Sequence, residues 1–211
     1  MGELARDLGV RNSLLLATKV WTTGRETGIR QMKDSLRLLR TNVIDLMQVH
    51  NLLDWQTHFE TFRSWKDQGL IRYTGITHYS TSAFDTMEHV MKAAHPDFIQ
   101  IFYSIVKRNA EERLLPLAAD LGIGVIVNRS FETADLFGRV RGKPVPAWAK
   151  EIECTSWAQF FFKFIVSCPT VTCAIPATGN AEHLLDDRKA GYGDMPDIRM
   201  RIKMTHYLDT L

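Results

Sequence analysis

The chain has 211 residues, 45% of them apolar, and a net charge of +2 from 26 basic and 24 acidic side chains. That balance supplies no global field that would draw the chain to nucleic acid or to an anionic membrane. No apolar run approaches the roughly 18 residues that span a bilayer, and the length suffices to bury about 70% of the unfolded surface around a sizeable core.

Met1–Gly9 reads as the second half of an amphipathic helix without the organisation of a signal peptide. Leu14–Val20 is apolar until its end, as expected of a parallel strand covered on both faces, and it closes near Lys19. A helical stretch, Glu26–Arg40, follows, with Ile29, Met32, Leu36 and Leu39 on one stripe. A second strand, Val43–His50, then ends in His50. The unit recurs. Strands are predicted at Arg72–Thr77, Phe98–Ser104, Gly124–Ser130 and Val171–Pro176, with helices near Trp55–Gln68, Ser82–Ala94, Ala110–Leu121 and Thr155–Ser167. Gly69, Pro96 and Gly122 fall where helices must stop. Such alternation predicts an α/β fold with a parallel sheet.

No linker or composition break divides the sequence, so residues 1–211 read as a single domain. Phe131–Glu153 is the longest irregular piece, a lid or belt or else a plain surface excursion. Cys154, Cys168 and Cys173 are odd in number and lack metal-ligand spacing; they are expected to be reduced and structural, in a reducing, cytoplasmic setting. In Trp157–Phe164 nearly every residue is apolar, and core packing is the plainer reading for Trp148, Trp157, Phe160, Phe161, Phe162 and Phe164.

If the repeat closes into a barrel, catalytic groups come from the C-terminal ends of several strands. Those ends supply Lys19, His50, Thr77 with His78, Gln100 with Tyr103 and Ser104, Asn128 with Arg129 and Ser130, and Ile175–Thr178. A lysine so placed can act as a base, a Schiff-base nucleophile or an electrostatic partner, and a histidine can donate to a carbonyl or shuttle a proton. Taken singly, each has an ordinary structural explanation as a strand-end residue satisfying nearby backbone.

Five segments, LLATKVW (Leu15–Trp21), SLRLLRTNVIDLMQVHN (Ser35–Asn51), DQGLIRYTGIT (Asp67–Thr77), PDFIQIFYS (Pro96–Ser104) and IPATGNAEHL (Ile175–Leu184), come in one order and spacing that resembles the aldo-keto reductase family over essentially the whole chain. The resemblance implies a (β/α)₈ TIM barrel, here with about six βα units and without its first two strands. It also implies reduction of an aldehyde or ketone to an alcohol with NADPH, or NADH as the second option. Lys19 and His50 match the lysine and histidine of the family's catalytic tetrad. The tetrad Asp and Tyr have no counterpart; the resemblance places them upstream of residue 1, so the chain reads as N-terminally truncated. Tyr79 and Tyr103 do not match the tyrosine's position.

For the cofactor, the resemblance assigns Thr77, His78 and Gln100 to the nicotinamide carboxamide, with Thr77 and His78 replacing a usual Ser-Asn pair. Asn128 stands where an aromatic often stacks, and Arg129, Ser130 and Phe131 fall at the pyrophosphate. Ala177 and Thr178 open the adenosine-phosphate segment, His183 takes an arginine position, Asp186 matches an adenine-contacting acid and Asp187 an asparagine. The lysine often found at Ala177 is missing, which weakens the case for a 2′-phosphate. Trp21 and Trp55, each after a strand end, are substrate-wall candidates, and no metal is implied.

Two functions remain from this reading: an oxidoreductase acting on a small carbonyl compound, or a non-catalytic nucleotide-binding or regulatory remnant. A phosphate-binding barrel of unrelated chemistry explains the repeat but not the ordered motifs. Open sheet edges suggest self-association.

Overall fold

The computed structural model describes residues Met1–Leu211, which form two compact units: Met1–His78 with Ser82–Gln100 and Leu121–Ile123, and Tyr79–Thr81 with Ile101–Asp120 and Gly124–Leu211. The strands are ordered β1-β2-β3-β4-β5-β6, and the sheet alternates with helices as the periodicity predicts.

The first unit contains α1 (Gly2–Asp7), β1 (Ala17–Val20), α2 (Arg25–Leu39), β2 (Ile44–His50), α3 (Trp55–Asp67), β3 (Ile71–Thr77), α4 (Phe84–Ala94) and the first residues of β4 (Phe98–Phe102). β2 is buried along its whole length until His50, because it is paired in parallel on both sides. β1 is shorter than expected and is not covered on both faces: Leu14 and Leu15 are exposed, at 39% and 64%. The cause is local. Arg11–Ser13 forms a 3₁₀ turn, Arg11 donates to the Leu14 carbonyl at 3.1 Å, and the Leu16 amide goes to the Asp45 carboxylate at 2.7 Å. Asp45 is buried at the start of β2 and also receives Arg72 at 2.7 Å. Asp97 does similar work at the entrance of β4, accepting from the Thr74 amide and hydroxyl, each at 2.8 Å, and from Lys66.

The second unit holds the end of β4, α5 (Leu114–Leu121), β5 (Gly124–Asn128), α6 (Asp135–Arg139), α7 (Trp157–Val166), β6 (Val171–Ala174), α8 (Ala181–Lys189) and α9 (Ile198–Asp209). α5 begins at Leu114 rather than Ala110. Pro116, which has no amide to donate, fits only the first turn of a helix, and Asn109–Glu111 forms a separate 3₁₀ turn. Phe131–Glu153 is more ordered than the sequence suggests, with 3₁₀ turns at Glu132–Ala134 and Ala147–Ile152 around α6. β5 and β6 pair in parallel with an irregularity between Val125 and Ile126.

α7 is the core of this unit. Ser156 caps it by accepting from the Gln159 amide at 3.1 Å, and Phe160, Phe161, Phe162 and Phe164 are buried, as expected. Its Lys163 is fully buried too, and the ammonium donates to the carbonyls of Tyr192 at 2.6 Å and Asp194 at 2.8 Å. α9 was not anticipated; it is capped by Asp197 and buries only Met204 and Leu208, a stripe too thin to show as a period. Arg201 fixes it. One nitrogen of its guanidinium reaches the Phe164 carbonyl and the Ser167 hydroxyl, the other the Tyr103 hydroxyl and Glu111, while its flat face lies 4.0 Å from the Phe164 ring.

All three cysteines are free. Cys154 is buried, which pushes its thiol up to about 11, whereas Cys173 is exposed on β6. No helix is long and apolar enough to cross a membrane.

Asp45→Ala is expected to destabilise the fold by about 2–3 kcal/mol, because the Leu16 amide and Arg72 both lose their acceptor. A urea midpoint that falls with an unchanged slope is the expected signature.

Candidate active site

In the first unit, parallel register puts the polar strand ends in two rows. Lys19 pairs with Gln48 across β1 and β2; one residue pair further towards the C-terminal ends, His50 pairs with Thr77 and Thr77 with Gln100. Thr77 and Gln100 are buried, and Lys19, His50 and His78 are half-buried. Gln48 Nε2 donates to Gln100 Oε1 at 3.3 Å, reaching across β3 at Gly75. A Cβ on Gly75 would stand 2.9 Å from Gln48 Cγ and 3.0 Å from the Phe98 carbonyl, so only glycine leaves this path open. The donated amide hydrogen fixes the sense of Gln100, whose NH₂ then faces away from Gln48. Gln48 Oε1 is buried with no partner.

The electrostatics of the group are unusual for a surface. Burial lowers the Lys19 amine from its ordinary value. Burial also lowers His50, and the positive charges of Lys19 and His78 lower it further. His50 is therefore the neutral imidazole at pH 7, able to donate from one ring nitrogen. Trp21 lies beside it, 61% exposed, with ring centroids 5.1 Å apart. Trp55 does not sit in a loop as expected. It opens α3 and is half-buried, with its ring edge-on to Phe59 and His89 at 6.4 and 6.2 Å.

In the second unit, a cavity of about 800 Å³ collects most of the remaining candidates: Arg129, Ser130, Phe131, Ala177, Thr178, His183, Asp186 and Asp187. Asn128 closes β5 and is half-buried, but it is not part of that wall. Ser130 Oγ is buried, has no partner, and lies in the lining. Arg129, in a left-handed backbone conformation, sets its guanidinium 4.7 Å from the centre of the Tyr79 ring. Thr178 Oγ1 accepts from the Asn180 amide at 3.1 Å, and Asn180 caps α8. The two oxygens of Asp186 meet Ser156 Oγ and Gln159 Nε2, both at 2.5 Å, which ties α8 to the start of α7. Burial raises the neighbouring Asp187, Asp186 raises it further, and His183 acts against both.

Sequence reasoning passed over Phe137, Ser156 and Trp157, which also line this cavity. Trp157 looked like core because it heads an apolar run. Its place in the first turn of α7, with Nε1 donating to the Lys143 carbonyl at 2.9 Å, leaves one edge of the ring free to line the cavity. Tyr103 is the opposite case. Its hydroxyl is enclosed by Glu111 and Arg201, and burial together with the Glu111 hydrogen bond pushes it far above the ordinary phenol range.

A family model described as aldo/keto reductase matches residues 1–192. The chain belongs to the aldo/keto reductase family. Members of the family are oxidoreductases. Among its relatives, aldo-keto reductase YhdN of Bacillus subtilis is 29% identical over 153 residues, covering 66% of this chain and 45% of that protein. Methylglyoxal reductase DkgB of Salmonella typhi is 29% identical over 107 residues, 47% of this chain and 39% of that protein. The chain thus spans less than half the length of these curated relatives. An aldo/keto reductase from Klebsiella pneumoniae, solved in complex with NADP and acetate, aligns over 98% of this chain and 74% of its own with a TM-score of 0.77 at 21% identity. At that identity the likeness speaks for the fold: an aldo-keto reductase α/β fold of alternating strands and helices.

His50 is expected to titrate below the usual 6.5 in a histidine NMR titration, and Lys19→Met should move its midpoint upward by removing a neighbouring charge. The sign for stability follows. The unfolded chain binds the His50 proton more tightly, so this contribution is complete above about 6.5 and is lost as pH falls through the lower folded value.

Proposed function

We propose that residues 1–211 act as one partial reductase domain in the NAD(P)H-dependent reduction of an aldehyde or ketone to an alcohol. The observation that carries this reading is the placement of a half-buried lysine and a half-buried histidine at the ends of adjacent strands, Lys19 and His50, close enough for the lysine's charge to lower the histidine's pKa, beside the Thr77–Gln100 row. When bound, the reduced nicotinamide supplies a hydride. His50 would donate a hydrogen bond to the carbonyl oxygen and orient it, and Lys19 would tune the acidity of the tetrad tyrosine, the group whose proton would turn the alkoxide into the alcohol. Gln100, with its NH₂ directed by Gln48, holds the carboxamide together with Thr77 and His78.

The second unit, taken by itself, has features that suit a nucleotide phosphate. Ser130 Oγ is an unpartnered donor in the cavity wall, Arg129 suits a pyrophosphate by charge and shape, and the start of α8 presents backbone amides to an anion. Ala177 and the adjoining acids Asp186 and Asp187 do not favour a 2′-phosphate, whereas structural neighbours solved with NADP and NADPH support NADPH, so NADPH is tested first with NADH beside it. The DkgB relative supports a small carbonyl substrate. Three free thiols suit a cytoplasmic setting, and the exposed Leu14 and Leu15 beside β1 support pairing with a second copy.

A second reading is favoured by a specific observation. The tetrad tyrosine has no counterpart among these residues, and Tyr103 is locked in its network with Glu111 and Arg201. A general acid typically contributes about 10²–10⁴ in rate. On this reading a site that has no such acid would bind nucleotide without turning over.

Titration with NADPH and with NADH, followed by tryptophan fluorescence, together with a carbonyl-dependent absorbance assay on the same sample, separates the readings. Binding with turnover supports the reductase, binding alone the remnant, and no binding removes both. Where turnover is found, Lys19→Met is expected to abolish it and leave nucleotide affinity largely unchanged; unaltered turnover would exclude Lys19 from the chemistry.

A further inference from the structure

Trp21 is an exposed tryptophan on the short segment between β1 and α2, yet its backbone is among the most tightly held in the first unit. The Trp21 amide donates to Gln31 Oε1 at 2.7 Å. His58 Nε2 lies 2.7 Å from the Thr22 carbonyl, so the ring donates there. The Gly24 amide donates to Asp54 Oδ2 at 2.7 Å, and Thr57 Oγ1 holds the other Asp54 oxygen at 2.8 Å. Arg25 pairs with Glu60 at the next position. Four of the five residues Trp21–Arg25 are therefore tied by side chains from α2, α3 and the β2–α3 turn, none of which the reductase reading uses.

His58 is the unexpected member. It is fully buried, its Nδ1 has no partner, and its site exists because Gly28 on α2 has no side chain. A Cβ there would lie 2.6 Å from His58 Cε1 and 2.8 Å from Nδ1. An imidazole buried with one nitrogen unpartnered is a poor way to fill space. It is a good way to deliver one N–H to the Thr22 carbonyl, directly beside Trp21.

We propose that His58, Gln31 and Asp54 are positioning residues that hold the Trp21 segment against His50, so that the indole forms a wall of the carbonyl site before any ligand arrives. The assignment of that wall to a carbonyl rests on the reductase reading above; the positioning itself does not. Each hydrogen bond acts on the backbone rather than on the indole, so the ring keeps its place despite being exposed. A wall ordered in advance spares a ligand the entropy of ordering it.

The test uses the chain labelled with 5-fluorotryptophan, whose five fluorine lines are assigned by single Trp→Phe substitutions. In His58→Phe the Trp21 line is expected to narrow and move toward the position of a free indole, while the Trp148 and Trp157 lines stay. His58→Gln, which can still donate one N–H, should restore it. Gln31→Leu, at a half-buried helix position, gives the same shift if His58→Phe does not fold. A Trp21 line unchanged in Gln31→Leu and in whichever His58 variant folds would overturn the proposal. Where a carbonyl is turned over, His58→Phe should raise its KM about fivefold, the loss of one ordinary hydrogen bond, with nucleotide affinity unchanged. A shifted Trp21 line without turnover in any variant, the parent chain included, would uphold the positioning and discard the reductase reading.

Discussion

Parallel pairing is the constraint on which the rest depends. A strand that enters at one end of a sheet and must be followed by another running the same way sends the chain back through a helix, so all strands finish on one side. Residues with no sequence relation then become neighbours by register alone. Lys19 and Gln48 are 29 positions apart and His50 and Thr77 are 27 apart, and both pairs are adjacent across strands. Because β2 is buried up to its last residue, the candidate reactive groups gather at the C-terminal strand ends, where backbone pairing stops and water or a ligand can reach.

That concentration of donors and charges runs against stability, and the surroundings show how it is accommodated. Lys19 and His50 are shifted toward their neutral forms, by burial and, for His50, also by the positive charges of Lys19 and His78. The carboxylates are used elsewhere, Asp45 and Asp97 at the opposite ends of the strands, each joining backbone amides to a cation. Structural ion pairs and candidate reactive groups are thus kept apart along the strand direction, which leaves the polar ends free to respond to what binds there.

Much of this was legible in the sequence because it depends on short-range pattern. Strand-helix alternation, the positions of Lys19, His50, Thr77 and Gln100 at strand ends, and the burial of Phe160–Phe164 all follow from periods of two and 3.6 and from where apolar runs stop. Other features depend on contacts that no local pattern encodes. Leu14 and Leu15 read as strand core, but the Leu16 amide is captured by Asp45 from a distant part of the chain. Trp55 read as a loop residue because it follows a strand end, whereas its partners Phe59 and His89 lie on α3 and α4. α9 carries two buried residues in twelve, and what holds it is distant contact: Arg201 reaching groups about 100 positions earlier, and Tyr207 packed on Trp148 and Trp157. His58 and Lys163 gave no signal, since a polar residue on a helix normally faces water.

Arg201 has a bearing on how this sequence can drift. One guanidinium serves four acceptors in two directions and presents a flat face to Phe164. A lysine carries the same charge on a single tetrahedral point and could satisfy only one side of that fork. Neutral exchange between the two basic residues, tolerated at Arg37 or Lys92 on the surface, is closed at position 201. Any lineage that loses this arginine has to replace Glu111 and the Tyr103 hydroxyl in the same step, so these three positions should change together or not at all.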